Sequence, residues 1–395
     1  MSLGTRIRQY RTARGFTLDE LAGRMDGLVT KQALSKYEKD RAMPRPTVLV
    51  ALARALDVKA VRLMGEPEYG FEIVAYRALA TLPKGEAERI ENVVTLELER
   101  RLTLMDRLAM EHVNPFAEAV PAVNDVRDAE YAADALRDTW DLGSGPISDV
   151  VGTLESKGVH LIDVDGERNF DGLAVFAIDE EGNTIACGVA SRAETSRTRQ
   201  RMNQAHEVGH LALAVPDSVD AEKAVKRFAG AFLYPATAVR GEFGTRRTRI
   251  TQDELLLAKR RWGISMQAVL YRLRDLEILD ELGYIWWCKR INQVGWRINE
   301  PGDEPPERST WNDVYAHRAA AEGLIAAETL ADYVPSTRAA RYPGDIDRRA
   351  LMKLPLAERC AIIQAQAEAF ADEYNATIDH EWLDADLGER DDVDD

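Results

Sequence analysis

Apolar residues in the first 65 positions recur at helical spacing, in short bursts separated by polar breaks. Ile7 and Tyr10 open a first helix, which Gly15 ends. Thr17 caps a second, TLDELAGRM, and Glu20 three positions later completes a capping box. After a turn through Asp26-Gly27, Thr30 caps a third helix, TKQALSKYEKD, and Pro44-Arg45-Pro46 stops the connection that follows. Thr47 caps a fourth, TVLVALARAL, and Val58 to Met64 suits a fifth. Five short helices predict a compact bundle over residues 1–66, with a helix–turn–helix at positions two and three.

Residues 67–125 read as a helical linker. Its main element, residues 84–112, is one long polar-faced helix with an imperfect apolar stripe through Val94, Leu98 and Leu102. It suits a spacer, a dimer seam or a helix packed on the next domain, and has too few heptads for a coiled coil. From residue 126 the pattern is mixed. RDAEYAADALRDTW and PISDVVGTLESKG are amphipathic helices ended by glycines, and VHLIDVD, GLAVFAID and TIACGVAS are short apolar strands bounded by turn residues. A helix-and-sheet domain is expected over 126–245. In an extension over 246–330, RITQDELLLAKRRWGISMQAVLYRLRDLEIL predicts two helices joined at Gly263, with Ser265 capping the second. IWWCKRINQVGWRI suits an aromatic-rich strand pair. Residues 331–395 suggest an amphipathic helix and an acidic tail. The fold class is α+β, mostly α.

Composition narrows the class. The chain has 395 residues, 45% hydrophobic and 30% charged, enough for two or three domains with real cores and too apolar for global disorder. No apolar window is long enough for a membrane span, and MSLGTRIRQYRTARG lacks the features of a secretory signal, so a cytoplasmic location is expected. Cys187, Cys288 and Cys360, odd in number and far apart, argue against a disulfide framework.

The net charge of −16 conceals an asymmetry. Residues 1–65 carry 13 Lys plus Arg against 6 Asp plus Glu, whereas residues 381–395 carry 8 acidic residues and one Arg. A basic head on an acidic body is expected when one small domain meets phosphate. On the third helix Ala33, Leu34 and Tyr37 are core positions, which turns Lys31, Gln32, Ser35 and Lys36 outward. With Thr30 at the helix start, these are residue types that contact bases and phosphates from the major groove.

The strongest chemical signal is Gln204-Ala205-His206-Glu207-Val208-Gly209-His210-Leu211. Histidines at i and i+4 lie about 40° apart around a helix, so both imidazoles share one side. Two neutral imidazoles can hold Zn²⁺ with a position left open; the ion lowers the pKa of a water towards about 7, and the adjacent Glu207 takes the proton. A catalytic zinc site needs a third protein ligand, for which Asp217, Asp220 and Glu222 are nearby. The two aspartates suit turn and cap roles in PDSVDA. Glu222 opens a helix whose Val225, Phe228, Ala229 and Phe232 form a buried edge, so an antiparallel return helix would bring it against the two histidines.

The run RIRQYRTARGFTLDELAGRM…VTKQALSKYEKDRAMPRPTVLVALARAL resembles the XRE (phage-repressor-like) helix–turn–helix family, including the Ser35-Lys36-Tyr37-Glu38 that closes the recognition helix. Many members carry Gln at the start of the second helix, bracing a phosphate contact, where this chain has Leu18. The resemblance implies binding to a double-stranded DNA operator, commonly as a homodimer on two half-sites. NQAHEVGHLAL with EKAVKRFAGAFLYP resembles the ImmA/IrrE family of metallopeptidase domains. His206 and His210 match its zinc-binding histidines, Glu207 its catalytic glutamate and Glu222 its third ligand, with Phe228-Ala229 and Leu233-Tyr234-Pro235 in step. Lys226 stands where an Asn is usual, and the loop between the two helices is short.

The joint resemblance implies a regulator with a zinc endopeptidase that cleaves itself or a partner repressor or antitoxin in a stress, phage or toxin–antitoxin response. A second class stays open. LMKLPLAERCAIIQAQAEAFADEY is similar to short antitoxin segments encoded beside PIN-domain ribonuclease toxins. That similarity implies a non-catalytic repressor with a structural or sensory zinc and a toxin-masking C-terminal arm.

Overall fold

The computed structural model describes residues 2–65, 69–78, 82–117, 120–165, 170–297 and 299–334. Residues 1–324 form one compact unit and residues 325–395 a second, of which residues 325–334 are described and contain a short 3-10 helix, Ala327–Asp332. The expected amphipathic helix and acidic tail, with Cys360, lie outside the described residues. Among the described residues there are fifteen α-helices and one four-stranded sheet.

The N-terminal bundle is α1 (Leu3–Ala13), α2 (Leu18–Arg24), α3 (Lys31–Glu38), α4 (Pro46–Ala55) and α5 (Ala60–Met64). Thr17 and Glu20 make the capping box expected of them. Ile7, Leu21, Leu34, Leu52, Leu56 and Leu63 are fully buried in the shared core, and Arg11 grips Glu38 with two hydrogen bonds, of 2.5 and 2.8 Å, that fasten α1 to α3. The start of α4 differs from expectation. Pro46 is its first residue and Arg45 its N-cap, so Pro46 begins the helix rather than stopping the connection. Proline suits a first turn because its fixed φ is helical and its missing N–H would have had no partner there.

The segment expected to be a purely helical linker contains β1 (Gly70–Ala78), followed by α6 (Lys84–Arg107). Helix α7 (Asp128–Thr139) and α8 (Val150–Ser156) lead into β2 (Val159–Val164), β3 (Phe170–Ile178) and β4 (Thr184–Arg192). The sheet order is β1-β3-β4-β2, with β1 and β4 antiparallel to β3, and β2 parallel to β4. Thus β1 forms one edge. Phe71, Ile73, Val74 and Tyr76 suit a strand, but strand pairing depends on the neighbour available, and the neighbour is β3, a hundred residues away. β3 and β4 are buried along nearly their whole length, which explains why they read as apolar runs rather than as alternation.

Helix α6 joins the two halves of the unit. It packs against α1 on one side and against β2 and β4 on another. Ile90, Val94, Leu98 and Leu102 recur every four residues and are all buried, so of the three roles open to this helix, packing on the next domain is the one seen.

After the sheet come α9 (Arg197–Ala212), α10 (Ala221–Leu233), α11 (Ala236–Phe243), α12 (Gln252–Trp262), α13 (Met266–Asp275), α14 (Glu281–Gln293) and α15 (Trp311–Ala321). Gly263 adopts the left-handed conformation that ends α12, and Ser265 caps α13. The expected strand pair over IWWCKRINQVGWRI is instead mostly α14. Asp280 caps it through the Gly283 N–H, and Trp287 and Ile291, four residues apart, turn into the core. The aromatics that favour a strand locally are outweighed by this cap and by helical burial. Two basic residues of α12 and α13 serve packing. Lys259 is buried against Glu300 and Asp303, and Arg272 is buried against Glu130 while donating to the Tyr234 carbonyl. No helix among the described residues is long and apolar enough to cross a membrane.

Candidate functional site

Helix α9 carries the two histidines and α10 returns alongside it. The crossing is close because of Gly209: a Cβ built there would stand 3.0 Å from both Phe228 and Val225 of α10. The residue between the two histidines that lacks a side chain is therefore the one that lets the second helix approach. Asp220 is occupied as the α10 N-cap, accepting from the Lys223 N–H at 3.1 Å, and Asp217 is exposed in the loop. Glu222, the second residue of α10, reaches across.

His206 Nε2 and His210 Nε2 are 3.1 Å apart. Glu222 Oε1 lies 3.5 Å from His210 Nε2 and Oε2 lies 3.7 Å from His206 Nε2. In a tetrahedral site with bonds of about 2.0–2.1 Å, ligand atoms are about 3.3–3.4 Å from one another. The two imidazole nitrogens and the carboxylate, each of whose oxygens faces one of them, thus have spacings close to that size, and two imidazoles with one carboxylate are a donor set that zinc accepts. His206 is buried, His210 is half-buried and the Glu222 side chain is 53% exposed, so the triangle opens to solvent on the Glu222 side. Lys226 Nζ stands 3.6 Å from Glu222 Oε2, one turn along α10.

Glu207 is fully buried between α9 and the sheet. Its carboxyl group rests on Gly172 of β3, where a Cβ would fall 2.7 Å from the Glu207 Cδ. Any side chain at 172 would displace the carboxylate. The sequence reading missed Gly172, because nothing in GLAVFAID marks that glycine until the sheet is laid over α9.

The DNA-reading candidates lie together on α3. Thr30 spends its hydroxyl on capping, accepting from the Ala33 N–H at 3.3 Å. Lys31, Gln32 and Lys36 are exposed, Ser35 is half-buried and Leu34 anchors the helix from below. Lys31 pairs with Asp19 of α2, an exposed ion pair of the kind worth at most about 1 kcal/mol. Lys39, Arg41 and Arg45, all exposed, extend the basic surface past the end of α3. The helix itself ends at Glu38, so these three follow it rather than lying on its outward face.

The fold and the two constellations define a helix–turn–helix bundle joined to a domain with a histidine-bearing helix under a sheet. Residues 7–63 match the helix-turn-helix family model, and residues 189–274 match the model of the IrrE N-terminal-like domain. The chain thus unites an XRE-type DNA-binding segment with a domain of the ImmA/IrrE metallopeptidase-like class. The second match runs from β4 through α13 and includes the whole His206–His210–Glu222 triangle. No curated protein and no solved structure matches the chain.

Proposed function

We propose that the chain is a sequence-specific DNA-binding transcriptional regulator whose central domain is a zinc-dependent endopeptidase, cutting its own chain or a partner repressor or antitoxin. The observation that carries this reading is the triangle of His206, His210 and Glu222, open on one side, with Glu207 buried next to it. His206, His210 and Glu222 would hold the ion. When bound, zinc supplies Lewis acidity towards the scissile carbonyl and towards water. Glu207 accepts the proton of the attacking water and returns it to the leaving amine, so that the amide C–N bond breaks and the water oxygen ends in the new carboxylate. Burial of Glu207 against Gly172 holds that carboxylate in one place.

In the same reading α3 enters the major groove. Gln32 and Ser35 face base edges, while Lys31 and Lys36, with the N-terminal end at Thr30, meet phosphates. A homodimer on two half-sites fits the size of a single such bundle.

Native mass spectrometry of the wild type beside Glu207→Ala tests the reading in one experiment. We expect one zinc per chain in both proteins, a dimer mass, and fragments from the wild type alone if the chain is its own substrate. Zinc without fragments removes self-cleavage and leaves two readings, a cut made in a partner or a non-catalytic zinc site. Absence of bound zinc in both proteins, or fragments from Glu207→Ala, would overturn the peptidase assignment.

A further inference from the structure

The outer strand of the sheet occupies a telling position. β3 is the strand that touches α9 through Gly172 and Glu207, and β1 is paired along the outer side of β3. Arg77 is the register partner of Gly172, and Tyr76 that of Leu173. The backbone at Tyr76-Arg77 therefore runs one strand spacing, about 4.8 Å, from the point where the sheet meets the Glu207 carboxylate. β1 also packs against α9 directly. The other edge of the sheet, β2, pairs in parallel with β4 and is covered by α6 and α8.

An extended peptide can add as a strand to a sheet edge and take its main-chain hydrogen bonds there, and a peptide that is to reach Glu207 would do so on the strand nearest that carboxylate. Here that strand is β3, and its outer hydrogen-bonding groups are held by β1. We propose that β1 is an intramolecular occupant of the substrate-binding edge: a protein substrate binds as an extended segment along β3 only after β1 withdraws. The proposal rests on the peptidase reading and names the regulation of that same site.

Two features suit β1 to leaving. Its pairing with β3 is interrupted twice, between Ile73 and Ala75 and again between Arg77 and Ala78, beside Gly172. Each interruption leaves the ladder locally disrupted. Its neighbours in the chain are anchored independently: α5 belongs to the N-terminal core, and α6 is fastened to α1 and to β2 and β4. Withdrawal of β1 leaves both in place.

The test uses the full-length zinc-loaded protein and a tripeptide hydroxamate, a short peptide ending in a metal-binding group. Hydrogen exchange is followed over residues 70–78 with and without the hydroxamate, and its Kd is measured on wild type, Glu72→Pro and Ile73→Pro. Successive N–H groups of a strand alternate in direction, so one of the two prolines must remove a ladder hydrogen bond to β3. We expect the bound hydroxamate to accelerate exchange across 70–78 while β2 and β4 stay protected. We also expect one proline variant to bind it about two- to tenfold more tightly than wild type. Equal affinity for all three proteins with 70–78 still protected would overturn the proposal, as would zinc-loaded proteins that all fail to bind the hydroxamate. Failure to load zinc is a separate result, which removes the peptidase reading and this proposal with it.

Discussion

Arg6 of α1 and Glu99 of α6 face each other in a two-armed ion pair, Nη1 to Oε2 at 2.7 Å and Nη2 to Oε1 at 2.8 Å, with side chains only 5% and 13% exposed. Gln9 to Thr95 and Asn92 to Thr12 continue the same seam. This contact ties the helix–turn–helix bundle to the helix that also supports the sheet. Removing one member of a buried pair strands the other charge, at a cost of about 3–5 kcal/mol. Glu99→Ala should therefore split a single calorimetric unfolding transition into two, the bundle melting first. A single unshifted transition would show that the seam is dispensable.

Metal binding should separate the four residues of the α9–α10 site. His206→Ala, His210→Ala and Glu222→Ala are expected to lose zinc at micromolar metal, whereas Glu207→Gln keeps one ion per chain. Removal of a general base typically costs 10²–10⁴-fold in rate, so Glu207→Gln should lose cleavage by about that factor while its metal content, read by mass spectrometry, is unchanged.

The close crossing at Gly209 predicts a stability effect that carries over to metal affinity. Ala at 209 must push against Phe228 and Val225, both fully buried or nearly so. Overpacking of this kind costs about 1–3 kcal/mol, and the side that gives way is the one that positions Glu222. Gly209→Ala should lower the Tm and weaken zinc binding together. A lower Tm with undiminished zinc affinity would show that α10 relaxes without moving Glu222.

Acid should weaken the fold through His160. Burial, with Arg101 and His112 nearby, pushes its pKa down to about 3 from the ordinary 6.5. The imidazole is neutral in the folded chain and charged in the unfolded chain between those values, so its contribution is full above about pH 6.5 and is lost as pH falls towards 3. The slope over that window is about 1.4 kcal/mol per pH unit. His160→Phe, which keeps a ring against Trp311, should flatten this part of the pH–stability curve measured by urea unfolding. An unchanged slope would assign acid sensitivity to other groups.

DNA binding should divide the α3 residues by contact type. Lys36→Ala is expected to weaken binding to all sequences alike and to lower the salt slope by about one unit, the loss of one phosphate contact. Gln32→Ala should relax preference at one base position at a cost of about 1–3 kcal/mol with the salt slope kept. Fluorescence anisotropy across a salt series distinguishes the two; identical salt slopes for both variants would contradict the assignment.

The residues proposed to carry the chemistry stand out in the chain itself because their spacing is local. Thr17 and Glu20 make a cap within one turn, His206 and His210 share a helix face by arithmetic alone, and the run through Ser35-Lys36-Tyr37-Glu38 lies on a single short helix. Glu222 was legible at one remove, from the buried edge of its own helix. What tertiary structure decided was everything that depends on a partner distant in sequence. β1 is a strand because β3 offers it an edge, and α14 is a helix because a cap and core burial outweigh aromatic β-propensity. Gly172 matters because β3 crosses Glu207, and α6 is a joint rather than a spacer because α1 and the sheet both close upon it. Local periodicity describes which face of an element is apolar; only the packed chain determines what that face meets.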